Sequence, residues 1–483
     1  MFKKLSMRAW VIIVFVLALL VVATIASVIT ATTNDTNRLV YQLKDDDTYE
    51  VIDVKNAYRG GIFAKEKLVV PETYKNKPVT SIKQLNLQKT QELVIAEGVT
   101  EIANSAFYGC SCLVTVQLPS TLKTIGSHAF FSCTNLKNFE LPASVTKIGA
   151  NAFNTCRSLE KLTIPQGVTA IAANTFDGCS NLKEVSLPSN LKTIAVGAFA
   201  NCYKLTSITI PASVTTISSP ANSNQVNAFE NCYSLVEICN ESALEIEPLS
   251  TANGNVAKYA TNVYSSTSGT SKLSQKDNFV IYDGATLVKY LGSDGNVTLP
   301  QLDGGAAYSI ADYAFYQQTN LTEVTLPDAV TAIGNYAFSG CTALTTVKIG
   351  NGVETIGKYA FSGCTSLVNT TFGSALTTIS ERAFSGCSKL VTVTLGDNLA
   401  EIGERAFSGC SILANLTIGK GLQKIEKEAF YSCYALTKLT YGGTKTQWAT
   451  VTLGDKWSYD NSKNKRACNT IICSDGELTL PAE

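Results

Sequence analysis

Fifteen cysteines and one histidine are the residues of this chain best suited to chemistry. Thiolates bind zinc, form disulfides or act as nucleophiles, and each task needs them to converge in pairs or beside a base. Here they do not converge. Cys110, Cys133, Cys156, Cys179 and Cys202 recur every 23 residues, followed by Cys232. Cys341, Cys364, Cys387, Cys410 and Cys433 repeat that interval. Such a ladder puts one thiol in each structural repeat, which suits a small buried hydrophobe better than a metal cluster. Disulfides between adjacent repeats stay open on spacing alone, since stacked strands lie about 4.8 Å apart. Cys112, Cys239, Cys468 and Cys473 fall outside the ladder. His128 sits at a variable position that other repeats fill with Asn151, Tyr336 or Arg405, so it reads as a surface residue. Asp45-Asp46-Asp47 lacks the spaced oxygen ligands of a calcium loop and reads as a solvated turn. No nucleophile elbow, phosphate-binding loop or zincin motif is present. The expectation is a protein without catalytic residues, metal or cofactor.

The elements behind the ladder share its period. Ala-Phe pairs end at Phe107, Phe130, Phe153 and Phe199, Thr-Phe ends at Phe176 in the same register, and Phe229 follows an insertion around 218–225. A second series runs Phe315, Phe338, Phe361, Phe384, Phe407 and Phe430. Within one unit, Val116-x-Leu118 alternates as a half-buried strand does, and Pro119 stops it. The following apolar residues, three or four apart, predict a tight returning coil, and Ala-Phe-x-x-Cys predicts one helical turn on the outer side. A single unit buries too few side chains to offset the ordering of its backbone, so stability must come from stacking. The fold class is a repeat solenoid of short parallel strands with little helix, in two arrays.

A larger period supports the division. Residues 38–54 and 279–291 each read as a hairpin, the second with the turn signal Asp283-Gly284. The boundaries expected are a hairpin cap over 32–68, a first array over 69–240, a partly ordered connector over 241–278, a second hairpin cap over 279–297, a second array over 298–441 and a C-terminal cap over 442–483. Asn255 to Ala260 is apolar enough for a short helix and Asn262 to Ser265 for a strand. After Pro327 the strand-stop residue becomes glycine (Gly350, Gly373, Gly396, Gly419 and Gly442), which suggests a different curvature in the second array.

Residues 1–31 read differently. Lys3, Lys4 and Arg8 precede an apolar run from Ala9 to Ile29, 21 residues long and enough to span a bilayer as a helix. The charge bias puts the N-terminus inside and the repeats outside. An uncleaved single-pass anchor through residues 9–29 is the expectation, with secretion after cleavage near Ala26 as the alternative. The 39 basic and 39 acidic residues balance, which argues against nucleic acid as a partner.

The unit A-F-x-x-C-x-x-L-x-x-V-x-L-P-x-x-[VL]-x-x-I-G, as in AFYGCSCLVTVQLPSTLKTIG and AFSGCTALTTVKIGNGVETIG, closely resembles the BspA-like leucine-rich repeat. The resemblance covers about 69–240 and 298–441, and residues 444–454 and 470–478 look like the terminal cap of bacterial members. It implies a right-handed, horseshoe-type superhelix, surface display, and adhesion to a host or neighbouring-cell protein or glycan. On the strand face, the polar residues flanking each inward position are the candidate ligand contacts: Gln117, Glu140, Lys161 and Glu184 in the first array, and Glu323, Lys348 and Lys438 in the second. The function expected is non-enzymatic binding of a macromolecule by this face. One rival is a structural stalk or coat component acting by self-association. A remoter one is a hydrolase with its site in 240–300, where no ionisable cluster is apparent.

Overall fold

The computed structural model describes residues 36–55, 67–463 and 465–480. It is a β-solenoid of stacked short parallel strands with almost no helix, of the leucine-rich-repeat type. Two compact units divide between Gly269 and Thr270. Each 23-residue coil carries two strands, where the alternation pattern suggests one. In one coil of the first unit these are Thr115–Gln117 and Thr124–Ile125. The second strand is only two residues long, Thr-Ile, too short for any periodicity to register. Neighbouring coils pair in register, so Val324 lies beside Val347 and Ile356 beside Ile379.

The buried interior is a set of columns. Phe107, Phe130, Phe153, Phe176, Phe199 and Phe229 are fully buried and stack at centroid separations of 5.1 to 5.6 Å. The Ala-Phe-x-x-Cys segment forms successive turns and no helix, and its Phe and Cys point into the core rather than outward. The reason lies in the backbone. Phe107 N–H donates to Ala129 O of the next coil at 2.7 Å, and Phe130 to Ala152 at 2.8 Å, so the donors a helix would use internally bond between coils.

All fifteen cysteines are free thiols. Ladder thiols donate to the carbonyl of the preceding coil's Phe, as Cys133 does to Phe107 at 3.2 Å and Cys364 to Phe338 at 3.3 Å. Burial pushes Cys110 up to about 11 and Cys341 to about 12, which keeps those two thiols protonated and unreactive. Gln318 replaces the cysteine in the first coil of the second series and donates instead to Tyr290 O at 3.4 Å.

Glycine at the coil corners answers to close packing. A Cβ on Gly373 would lie 2.1 Å from the carbonyl oxygen of Gly350, and one on Gly126 2.5 Å from the amide of Asn104. One inward strand position breaks the apolar rule. Thr370 fills the slot held by Val347 and Val393, and its buried hydroxyl has no hydrogen-bond partner. Thr370→Val is therefore expected to stabilise the second unit by about 1 kcal/mol, since a buried unpaired hydroxyl costs about that much. A raised urea midpoint checks this; a lowered one contradicts it.

The array ends are closed by different devices. Leu39–Leu43 and Tyr49–Val54 form an antiparallel hairpin that pairs in parallel with Lys77–Ile82. Asp45-Asp46-Asp47 lies in its turn, where Asp46 accepts from the Thr48 amide and Asp47 pairs with Lys77. In the second unit Phe279–Tyr282 and Thr286–Tyr290 flank a turn in which Asp283 and Gly284 have φ of 50° and 66°. A further strand, Leu273–Lys276, joins this hairpin through Asp277, whose φ is 54°. The first unit's ladder runs on through Glu237–Asn240 to Asn262–Tyr264. The expected helix over 255–260 is not formed. A single helical turn occurs earlier, Ala252–Asn255, and Asn253 and Gly254 inside it have positive φ. Gly254 instead gives its carbonyl to Phe229 N–H at 2.9 Å, continuing the coil ladder.

The expected anchor over residues 9–29 lies outside the described residues. Among the described residues, no helix is long and apolar enough to cross a membrane.

Candidate binding surface

The strand face presents the side chains that flank each inward residue. Gln117, Glu140, Lys161, Glu184, Lys348 and Lys438 are all exposed there, and Glu323 is partly exposed. The structure does not gather all seven. It gathers Lys161 with Glu184, whose charges meet at 2.8 Å, and Lys348 with Glu323, at 2.5 Å. Glu140 and Lys161 line one groove. Gln117 occupies the position equivalent to Glu140 one coil earlier, on the strand paired with it, and Lys438 lies near the other end of the second array.

That groove arises where the ladder stops. On the face, strands run in register from Lys67–Val70 to Asn138–Phe139, and a separate sheet begins at Lys161–Thr163. The second strand column divides at the same place, ending at Lys147–Ile148 and restarting at Ala170–Ile171. The turn side stays bonded across this boundary, through His128 to Ala150, Phe130 to Ala152, Ser132 to Asn154 and Ser158 to Thr134. Phe139 supplies the cause. It fills the slot that Val116 holds one coil earlier, and its ring meets Phe130 and Phe153 edge-on at 5.1 and 4.9 Å. A ring in a valine slot wedges neighbouring strands apart.

The opening is a groove of about 620 Å³ with an apolar floor of Phe139, Leu141 and Leu162. Charged residues from adjacent coils rim it. Glu160 bridges Lys137 at 3.1 Å and Lys183 at 2.9 Å. The hydrogen bond from Lys183 holds the Glu160 carboxyl below its ordinary range, with Lys137 adding to the effect. Lys161 is held up by its hydrogen bond to Glu184. Lys204 lies close enough to Lys183 to feel its charge, and burial, with that like charge second, pushes it down to about 8. An apolar floor within a rim of both signs suits recognition of a polar macromolecular surface, not bond-making.

Sequence reasoning missed Lys137, Glu160 and Phe139. The first two carried a signal: Lys137, Glu160 and Lys183 alternate in sign at 23-residue spacing. Phe139 carried one too, as the aromatic in a column otherwise aliphatic at Val116, Leu162 and Val185.

The family model for the BspA type leucine rich repeat region matches in six copies, over residues 100–236 and 308–441. The chain belongs to this family. Its repeat, read above from Phe and Cys spacing, is thus a leucine-rich repeat of the BspA type. Among solved structures, a leucine rich cell surface protein from Faecalibacterium prausnitzii A2-165 is 27% identical, with 86% of this chain and 96% of that one covered, at a TM-score of 0.37. A leucine-rich repeat protein from Bacteroides ovatus is 26% identical, with coverage of 87% and 98%, at a TM-score of 0.35. A leucine rich repeat protein from T. pallidum is 29% identical over 38% of this chain and 82% of that one, at a TM-score of 0.30. No match was found among curated proteins. BspA-type repeat proteins are surface proteins, generally non-enzymatic, and leucine-rich repeat folds commonly bind macromolecules such as proteins.

Proposed function

We propose that this BspA-type protein is a non-enzymatic adhesin that binds a host or neighbouring-cell macromolecule through the strand face of its first unit. The observation that carries the proposal is the groove at the ladder interruption, where Glu140 and Lys161 share one opening. At this boundary both strand columns are interrupted, and the recess offers a ligand buried contact that a flat polar face does not. Residues 9–29 would hold the protein in the cell membrane with the repeats outside, as the apolar run and its basic flank suggest.

The test is binding of the purified full chain to immobilised matrix proteins, glycans and whole cells. Saturable binding is expected. Changing Glu140, Lys161 and Glu184 together to alanine is expected to weaken it at least 10-fold, because charged rim contacts are lost on both sides of the groove (about 1.4 kcal/mol per factor of ten). Undiminished binding by the triple variant removes the groove from the reading. Concentration-dependent assembly with no captured ligand would favour a structural role.

A further inference from the structure

The turn side of the second unit carries two columns that the binding face does not use. The residue before each Ala-Phe pair gives Tyr313, Tyr336, Tyr359, Arg382, Arg405 and Glu428. The residue after it gives Tyr316, Ser339, Ser362, Ser385, Ser408 and Tyr431. In the second column tyrosines stand at both ends and serines between them. The surface therefore dips over four coils, about 14 Å from first to last serine at the spacing of stacked strands. Part of this dip is a trough of about 460 Å³, lined by serines of three coils, by both arginines, and by Tyr359, Glu428 and Tyr431. The glycine after each serine has φ between 73° and 77° and adds no side chain to the floor.

The wall is held against backbone preference. Every residue of the first column has φ between 53° and 60°, a conformation that disfavours bulky side chains. The first unit fills equivalent positions with Ser105, His128, Asn151, Asn174 and Gly197, mostly smaller residues that tolerate it better. In the second unit large side chains occupy them and brace one another. Tyr313, Tyr336 and Tyr359 stack at 5.0 and 4.7 Å. The Arg382 guanidinium lies 5.3 Å from the Tyr359 ring centre and donates to its hydroxyl. Arg405 Nε donates to Glu428 Oε2 at 2.5 Å. Two further carboxylates lie nearby: Glu381 is engaged by Lys358 at 3.2 Å and accepts from the Tyr359 hydroxyl at 3.4 Å, and Glu404 lies close enough to Arg405 for its charge to be felt there. Both arginines are thus fixed before any ligand arrives, which lowers the entropy cost of using their remaining donors.

The chemistry of the trough limits its ligand. Tyrosine faces are covered by one another, so the stack offers hydroxyls and edges rather than a platform. Among the described residues, the hydroxyls of Ser362, Ser385 and Ser408 include no donor to a carboxylate, and only Ser388 and Ser339 nearby bond across coils to backbone. The residues lining the trough are tyrosine, serine, arginine and glutamate, with no aliphatic side chain among them to seat an apolar peptide residue. We propose that this trough binds an extended acidic oligosaccharide, its hydroxyls meeting the serines and its sulfate or carboxylate groups meeting Arg382 and Arg405.

Calorimetric titration of the full chain with a heparin-derived tetrasaccharide, and with maltotetraose as the neutral counterpart, tests this. Saturable binding of the acidic tetrasaccharide is expected, with maltotetraose at least 10-fold weaker. Arg382→Gln is expected to weaken the acidic ligand at least 10-fold. Ser385→Tyr is expected to abolish its binding by filling the trough, and the fold accepts it because Tyr316 and Tyr431 already occupy that position. The triple variant at Glu140, Lys161 and Glu184 should leave this titration unchanged. No saturable binding, equal binding of maltotetraose, or affinities unmoved by Arg382→Gln and Ser385→Tyr would overturn the proposal.

Discussion

Replacing Phe153 with alanine is expected to cost about 3–5 kcal/mol, the usual range for emptying a fully buried aromatic site. The ring stacks on Phe130 at 5.4 Å and on Phe176 at 5.6 Å, and it takes the edge of Phe139 at 4.9 Å. With Phe130 it closes the coil boundary at which both strand columns are interrupted. A solenoid is held by nearest-neighbour contacts, so a weak boundary made weaker becomes a place where cooperativity breaks. Urea unfolding of Phe153→Ala should show a low-denaturant phase absent from the parent. Hydrogen exchange should locate it, with amides over 67–148 exchanging sooner than those over 161–264. Phe361→Ala, in a stretch where one strand column runs unbroken, should lose comparable stability without separating flanking coils. Coincident exchange on both sides of residue 153 would refute the weak-boundary account.

Lys204→Met is expected to stabilise the protein near neutral pH, by about 1–3 kcal/mol. A lysine titrates near 10.5 when unfolded, and burial beside Lys183 lowers Lys204 to about 8 in the folded chain. Each unit of such a shift is worth about 1.4 kcal/mol. The sign follows from proton counting. Between pH 8 and 10.5 the unfolded chain holds more of this proton, so the parent gains stability as pH rises through that window. Below pH 8 both states are protonated and the full cost of a buried charge remains; above 10.5 it has gone. Methionine carries no such cost at any pH. The difference in stability between variant and parent should therefore be largest below pH 8 and shrink toward pH 10.5. A difference independent of pH would mean that packing, not charge, sets it.

The repeating architecture was legible in the chain. Phe and Cys at a fixed period of 23 can be satisfied together only by stacking equivalent coils, and stacking puts equivalent residues in register. The exposed positions followed as well, because a strand's two faces alternate and Val347 inside places Thr346 and Lys348 outside. The two hairpins were legible from their turn chemistry, Asp283-Gly284 above all.

Other features depended on neighbours that no local pattern records. The second strand of most coils is two residues long and exists because the coil beside it offers a matching edge. The expected helical turn at Ala-Phe-x-x-Cys gave way because its amides bond to the next coil. The groove beside Lys161 opens because one Phe in a valine slot meets two rings from two coils, a matter of volume summed across the stack. The serine trough likewise needs six coils at once, since its depth is the difference between Tyr316 or Tyr431 and the serines between them. Period and residue type determined the solenoid by themselves, because each coil must satisfy the same nearest-neighbour contacts. Where the stack departs from regularity, and so where it can hold a ligand, was decided by tertiary packing, because a departure is felt only by the coils on either side of it.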